Sequence, residues 1–219
     1  GEWPLASESF QLLTGRYPGY QMRRDMRLDY AEALYRTGAL AEAQARFQVF
    51  IDSSQGDREL PRALLLLGQT HEAAGDGAAA LDLYRRVGRE FPAYQGAALL
   101  GNARVLLLTG NWDDARPFLE QAVAAGDAPV ASEAAYHLGE GLRAAGRHQQ
   151  AVESYMTAAY VVPGTVLARR ALLGAGQSFT ALKQADSAVI VYKKLLAGKT
   201  VEPELADAAK KALRPLSVN

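Results

Sequence analysis

Three histidines, His71, His137 and His148, are the side chains of this 219-residue chain best suited to proton transfer or zinc binding near neutral pH. None has a second histidine three or four residues away, so no two imidazoles share a helical turn and no zinc pair forms. His71 falls on an inward-facing position, His137 adjoins the Leu138-Gly139 pair, and His148 opens a helix just after a turn, which predicts structural or surface roles for all three. Carboxylates cluster at Asp113-Asp114 and at Glu202 with Glu204. The first pair follows Asn111 at a helix start, where acids complement the helix dipole and Asn111 is placed to cap. No glycine-rich loop ending in Gly-Lys-Ser/Thr is present, and Gly139-Glu140-Gly141 continues a helical pattern instead of turning out of a strand. No serine sits in a strand-turn-helix elbow. Cysteine is absent, which excludes disulfides and thiolate-bound zinc or iron–sulfur sites. The expectation is a chain without catalytic residues, metal or cofactor.

Charge narrows the partners. The 24 basic residues balance the 24 acidic ones, and the balance holds on both sides of Thr109, with 12 against 13 before it and 12 against 11 after. A nucleic-acid partner would leave a basic footprint, and none exists. The pairs Arg23-Arg24, Arg85-Arg86 and Arg169-Arg170 read as solvated helix faces. The longest apolar runs, Ala63 to Leu67 and Val105 to Leu108, fall far short of the roughly 20 residues of a membrane-spanning helix, so no direct membrane insertion is expected. The first residues show no charged-then-apolar leader.

What must position these residues is an internal repeat. Ala6, Ala43, Ala80, Ala115, Ala151 and Ala188 recur every 35 to 37 residues. Four residues after each comes a large apolar side chain: Phe10, Phe47, Tyr84, Leu119, Tyr155 and Tyr192. Three further on lie Leu13, Phe50, Val87, Ala122, Ala158 and Leu195, so every segment carries an apolar stripe along one helical face. Five residues before the alanine stands a turn residue, Gly38, Gly75, Gly110, Gly146 or Lys183; glycine there suits the left-handed stop of a helix. Seven residues upstream of each turn is a small residue, Ala31, Gly68, Ala103, Gly139 or Gly176, with Leu34, His71, Leu106, Leu142 or Phe179 three residues later. Each unit is therefore predicted to be a helix, a tight turn and a second helix.

The pattern resembles the tetratricopeptide repeat, best in Leu64, Leu67, Gly68, Gly75, Ala80, Tyr84 and Pro92, and again in Leu138, Gly139, Leu142, Gly146, Ala151, Tyr155, Ala158 and Pro163. It implies an all-α, right-handed α-solenoid over 1–219: a half repeat over 1–18, hairpins over 22–55, 58–92, 94–127, 129–163 and 165–200, and a capping helix over 203–215. The spacing exceeds the usual ~34 residues, and the closing proline appears only at Pro18, Pro92 and Pro163, with Gln55, Asp127 and Thr200 elsewhere. Long linkers of this style are similar to those of bacterial cell-envelope repeat proteins of the Tol-Pal-associated and outer-membrane assembly type, so the periplasm or envelope is favoured over the cytoplasm. Because Ala6, Phe10, Leu13 and Pro18 match only the second half of a unit, a first helix is expected upstream of residue 1.

In this family the first helices line a concave groove, which the resemblance carries onto fixed offsets from each turn. Ten residues before it lie Leu28, Leu65, Leu100, Tyr136 and Leu173; six before it Glu32, Gln69, Arg104, Glu140 and Gln177; three before it Tyr35, Glu72, Leu107, Arg143 and Thr180. An apolar seam flanked by alternating charge would suit an extended or helical peptide, with the tyrosines and arginines as anchors. Chaperone-binding members clamp a C-terminal carboxylate with lysine and asparagine; leucine or tyrosine fills the lysine site here, so no such clamp is expected. The function implied is a non-enzymatic scaffold or adaptor for a protein or peptide. Alternatives are a fixed subunit of a larger assembly, or the regulatory arm of an enzyme whose catalytic domain precedes residue 1.

Overall fold

The structure, a computed structural model, describes residues 2–54, 56–198 and 200–216, so Gln55 and the two ends of the range read as 1–219 lie outside the described residues. Among them are twelve α-helices and no strand, an all-α helical-repeat fold. The chain divides into two compact units, Gly1–Thr109 and Gly110–Asn219. The first contains α1 (Trp3–Arg16), α2 (Arg24–Arg36), α3 (Leu40–Asp52), α4 (Leu60–Ala73), α5 (Gly77–Glu90) and α6 (Gln95–Leu108), each packed on the next. The second contains α7 (Trp112–Ala125), α8 (Ala128–Ala144), α9 (His148–Val161), α10 (Val166–Ala181), α11 (Ala185–Leu196) and α12 (Pro203–Leu213), likewise in sequence. Of the segment 94–127 read as one hairpin, α6 belongs to the first unit and α7 to the second.

The turns form for a backbone reason. Gly38, Gly75, Gly110 and Gly146 all have positive φ, between 73° and 84°, where a side chain would clash with the following carbonyl. Lys183 adopts the same conformation at φ 59°, the one described non-glycine residue to do so. At four of these turns the residue after the left-handed one donates its N–H to the carbonyl five residues back: Ala39 to Leu34 at 2.9 Å, Asp76 to His71 at 2.9 Å, Arg147 to Leu142 at 2.8 Å and Gln184 to Phe179 at 2.9 Å. This Schellman arrangement satisfies carbonyls that the helix end leaves without partners. Asp127, which stands where the closing proline would, caps α8 by accepting from the Val130 N–H at 3.1 Å; Thr165, just after Pro163, caps α10 by accepting from the Ala168 N–H at 3.1 Å.

The second helices bury the alanine stripe. Ala43, Ala80, Ala115, Ala151 and Ala188 are fully buried, as are Phe47, Tyr84, Leu119 and Tyr155. In α1 the stripe is rotated: Ser7 is the buried residue, and Ala6 and Phe10 are half-buried, with the Phe10 ring stacked on Tyr30 at 5.0 Å. Glycines let the tyrosines in. A Cβ on Gly68 would lie 2.6 Å from the Tyr84 ring, and one on Gly101, from the following first helix, 2.7 Å from it. Tyr155 is held in the same way between Gly139 and Gly174. Each of these rings is thus seated on two helix backbones, which fixes one hairpin against the next in a close-packed interior.

Candidate functional site

The first helices of each unit carry the residues predicted to face a partner. In the first unit, Leu28 and Leu100 are only 1% and 3% exposed. This corrects their place in an apolar seam: both are core, on helices covered from more than one side within the unit, α2 by α1, α3 and α4, and α6 by α4 and α5. Glu32 is buried as well, held by Arg36 at 3.1 Å and by Arg62 at 2.5 Å. Tyr35, Leu65, Gln69 and Leu107 remain half-buried and form the accessible part of this face.

Glu72 and Arg104, also predicted to face a partner, are committed to each other. The Arg104 Nε lies 3.0 Å from Glu72 Oε1, and its Nη2 donates to the Tyr84 hydroxyl at 3.3 Å. That hydroxyl donates to Glu72 Oε2 at 2.8 Å. The triad joins α4, α5 and α6, and burial pushes the Tyr84 phenol well above its ordinary value, so it remains a neutral donor.

The second unit builds a related triad from different positions. The Tyr155 hydroxyl donates to Glu140 and accepts from Arg143 Nε at 3.1 Å, with Arg143 and Glu140 3.4 Å apart. Both charged residues are on α8, so the network stays within one hairpin. Tyr136, four residues before Glu140, is half-buried, with its ring 6.1 Å from that of Tyr155. Burial and the nearby Glu140 carboxylate raise its phenol. Leu173 on α10 is half-buried and packs against the same core cluster as Tyr136, whereas Gln177, Thr180 and Arg170 are exposed. Sequence reasoning passed over Arg62 and Arg170 as contributors to these faces, although both stand thirteen residues before a turn position.

The residues considered for chemistry have structural surroundings. His71 Nδ1 lies 3.3 Å from Asp76 Oδ2 and 3.4 Å from Gln44 Nε2, which ties a helix end to its turn. His137 is 3.9 Å from Glu133 on the preceding helical turn. His148 sits at the start of α9 with its Nδ1 buried and without a hydrogen-bond partner among the described residues. Asp113 and Asp114 fall in the first turn of α7; Asn111 occupies the cap position but makes no side-chain cap bond, contrary to expectation. Glu202 is gripped by Arg169 through two contacts, at 2.8 and 2.6 Å. Among the described residues no group of three His, Asp or Glu side chains could hold a metal ion, and no helix is long and apolar enough to cross a membrane.

Residues 71–137 and 170–197 match models of the tetratricopeptide repeat. A search of curated protein sequences finds no match. Among solved structures, the chain is similar to YrrB, described as a TPR protein with an unusual peptide-binding site, at 19% identity and a TM-score of 0.57 over 90% of this chain and 97% of that one. It is similar to MamA at 20% identity and a TM-score of 0.58, covering 86% and 94%. A thermophilic TPR protein of Thermus thermophilus aligns at 18% identity with a TM-score of 0.59, covering 87% and 99%. The helix–turn–helix units, the buried alanine and tyrosine positions and the matched segments agree: the chain carries tetratricopeptide repeats over residues 71–137 and 170–197, within an all-α helical-repeat fold.

Proposed function

We propose that this protein is a non-catalytic interaction scaffold that holds a segment of a protein partner against the exposed first-helix faces of its hairpins. Tyr136 carries the reading. It is a half-buried aromatic packed on the same core cluster as Leu173, with the Glu140, Arg143 and Arg170 charges acting on its phenol and Gln177 exposed on α10. A rigid ring with polar groups at its edge is the kind of surface on which binding energy concentrates. The peptide-binding site named for YrrB, on a similar fold, supports the same kind of partner. The decisive experiment is capture of native partners by Tyr136→Glu and Leu173→Glu variants whose helicity is checked by circular dichroism. Loss of capture with unchanged helicity is expected; full capture by both would overturn the proposal. Leu100 is no test of this face, because a charge at that buried position would unfold its hairpin.

A second reading is favoured by the exposed apolar side chains Leu5 and Leu12 on α1, 62% and 64% exposed. They suit a subunit held in a larger assembly through a broad surface. From the style of the long linkers we further propose a bacterial cell-envelope location, which fractionation of cells carrying a tagged copy tests.

A further inference from the structure

We propose that the outer side of the first hairpin takes a single large apolar side chain of a partner protein, flanked in that partner by a carboxylate. The recess uses Arg27 of α2 together with α3, none of the residues argued above to face a partner, and does not depend on their function. A recess of about 260 Å³ opens there between the α2 start and α3, floored by Met22, Ala45, Val49 and Phe50. Sites for whole small molecules run roughly 300–1,000 Å³. This recess is smaller, the size of an anchor for one side chain. Val49 stands at its mouth 63% exposed, an aliphatic side chain left in water.

The charges at its rim select the partner. Arg46 is already engaged, with Nε and Nη2 at 3.0 and 2.9 Å from Glu42 Oε1 and the guanidinium 3.9 Å over the Tyr30 ring. The nearby acids are engaged too: Asp25 pairs with Arg23 at 3.0 Å and Asp57 with Arg24 at 2.7 Å. Arg27 is different. Its Nε donates to the Met22 carbonyl at 3.0 Å, and among the described residues no carboxylate lies within ion-pair distance of it. It also sits in the first turn and a half of α2, where the helix dipole disfavours a cation. An anion brought by a partner would relieve both, while an apolar neighbour of that anion fills the recess.

The test is an NMR titration of the intact, ¹⁵N-labelled chain with a capped pentapeptide bearing leucine between glutamate and aspartate, and with the same peptide carrying two lysines instead. The acidic peptide is expected to shift the amides of Met22, Arg27, Ala45 and Val49 and to bind at least about tenfold more tightly than the basic one. Val49→Glu, a change at an exposed position, should abolish those shifts without loss of helicity, and Arg27→Glu should reverse the preference. Tyr136→Glu should leave them untouched, which separates this proposal from the scaffold reading. Equal binding of both peptides, shifts confined to the Tyr136 face, or full affinity in Val49→Glu would overturn it. So would concentration-dependent self-association lost in Val49→Glu, which would assign the recess to a second copy of the chain.

Discussion

Tyr84 in the first unit and Tyr155 in the second occupy the same place in their repeats, are equally buried and hydrogen-bond to a glutamate and an arginine, yet the two networks bind together different things. Around Tyr84 the arginine comes from the following first helix, so Arg104 ties one hairpin to the next. Around Tyr155 both charges lie on α8, and the following first helix contributes Gly174 against the ring instead. The first arrangement holds inter-hairpin register with a shielded ion pair. The second leaves register to packing and keeps its charges nearer the surface, beside Tyr136. The same repeat position thus carries a tie between hairpins in one unit and a network within one hairpin in the other.

The difference should be largest in stability. The Arg104 and Glu72 side chains are 18% and 16% exposed, against 37% and 41% for Arg143 and Glu140. Removing one partner of a shielded pair leaves an uncompensated charge, so Arg104→Leu is expected to cost about 2–4 kcal/mol. Arg143→Leu breaks a pair that water can replace and should cost about 1 kcal/mol or less. Urea denaturation of both variants measures the gap, and equal losses would dissolve the distinction between the two networks.

A smaller effect concerns the turns, and shows which parts of the molecule were legible in the sequence. The turn positions were, because a glycine at a fixed offset is a backbone requirement that composition exposes directly. Lys183 was found by the same offset despite carrying a side chain, and its φ of 59° makes it the turn with a strain to relieve. Lys183→Gly is expected to stabilise the second unit by about 1 kcal/mol, and Gly146→Ala to destabilise it by a similar amount, read from thermal and urea unfolding. The groove was less legible. Helical periodicity gives the face a residue lies on but not what covers that face, so Leu28 and Leu100, apolar at the same offset as Leu65 and Leu173, passed for seam residues although they are core. Gly101 and Gly174 were unread for a related reason: their role is contact with the tyrosine of the preceding hairpin, which no local spacing reveals.

The smallest expected effect sets the units apart in acid. Glu202 in the second unit is held by Arg169, whose hydrogen bonds bring its carboxyl from an ordinary 4.5 down to about 2. Asp29 in the first unit is shifted the other way, raised by partial burial and by the Glu32, Asp25 and Glu59 charges, against which Arg62 acts. Lowered in the fold, the Glu202 carboxylate contributes stability that is present above pH 4.5 and disappears as the pH falls toward 2. Raised in the fold, the Asp29 carboxylate acts in reverse, and its penalty appears as the pH climbs above its ordinary 3.8. Glu202→Gln should therefore be less stable than the parent at pH 7 and converge with it in acid. Asp29→Asn should be the more stable at pH 7 and lose that advantage over the same descent. Chemical denaturation at pH 7, 5, 4 and 3 follows both differences. Two curves bending in the same direction would mean that the carboxylates of the two units sit in like environments, and the contrast between a unit that strains one acid and a unit that shelters another would fail.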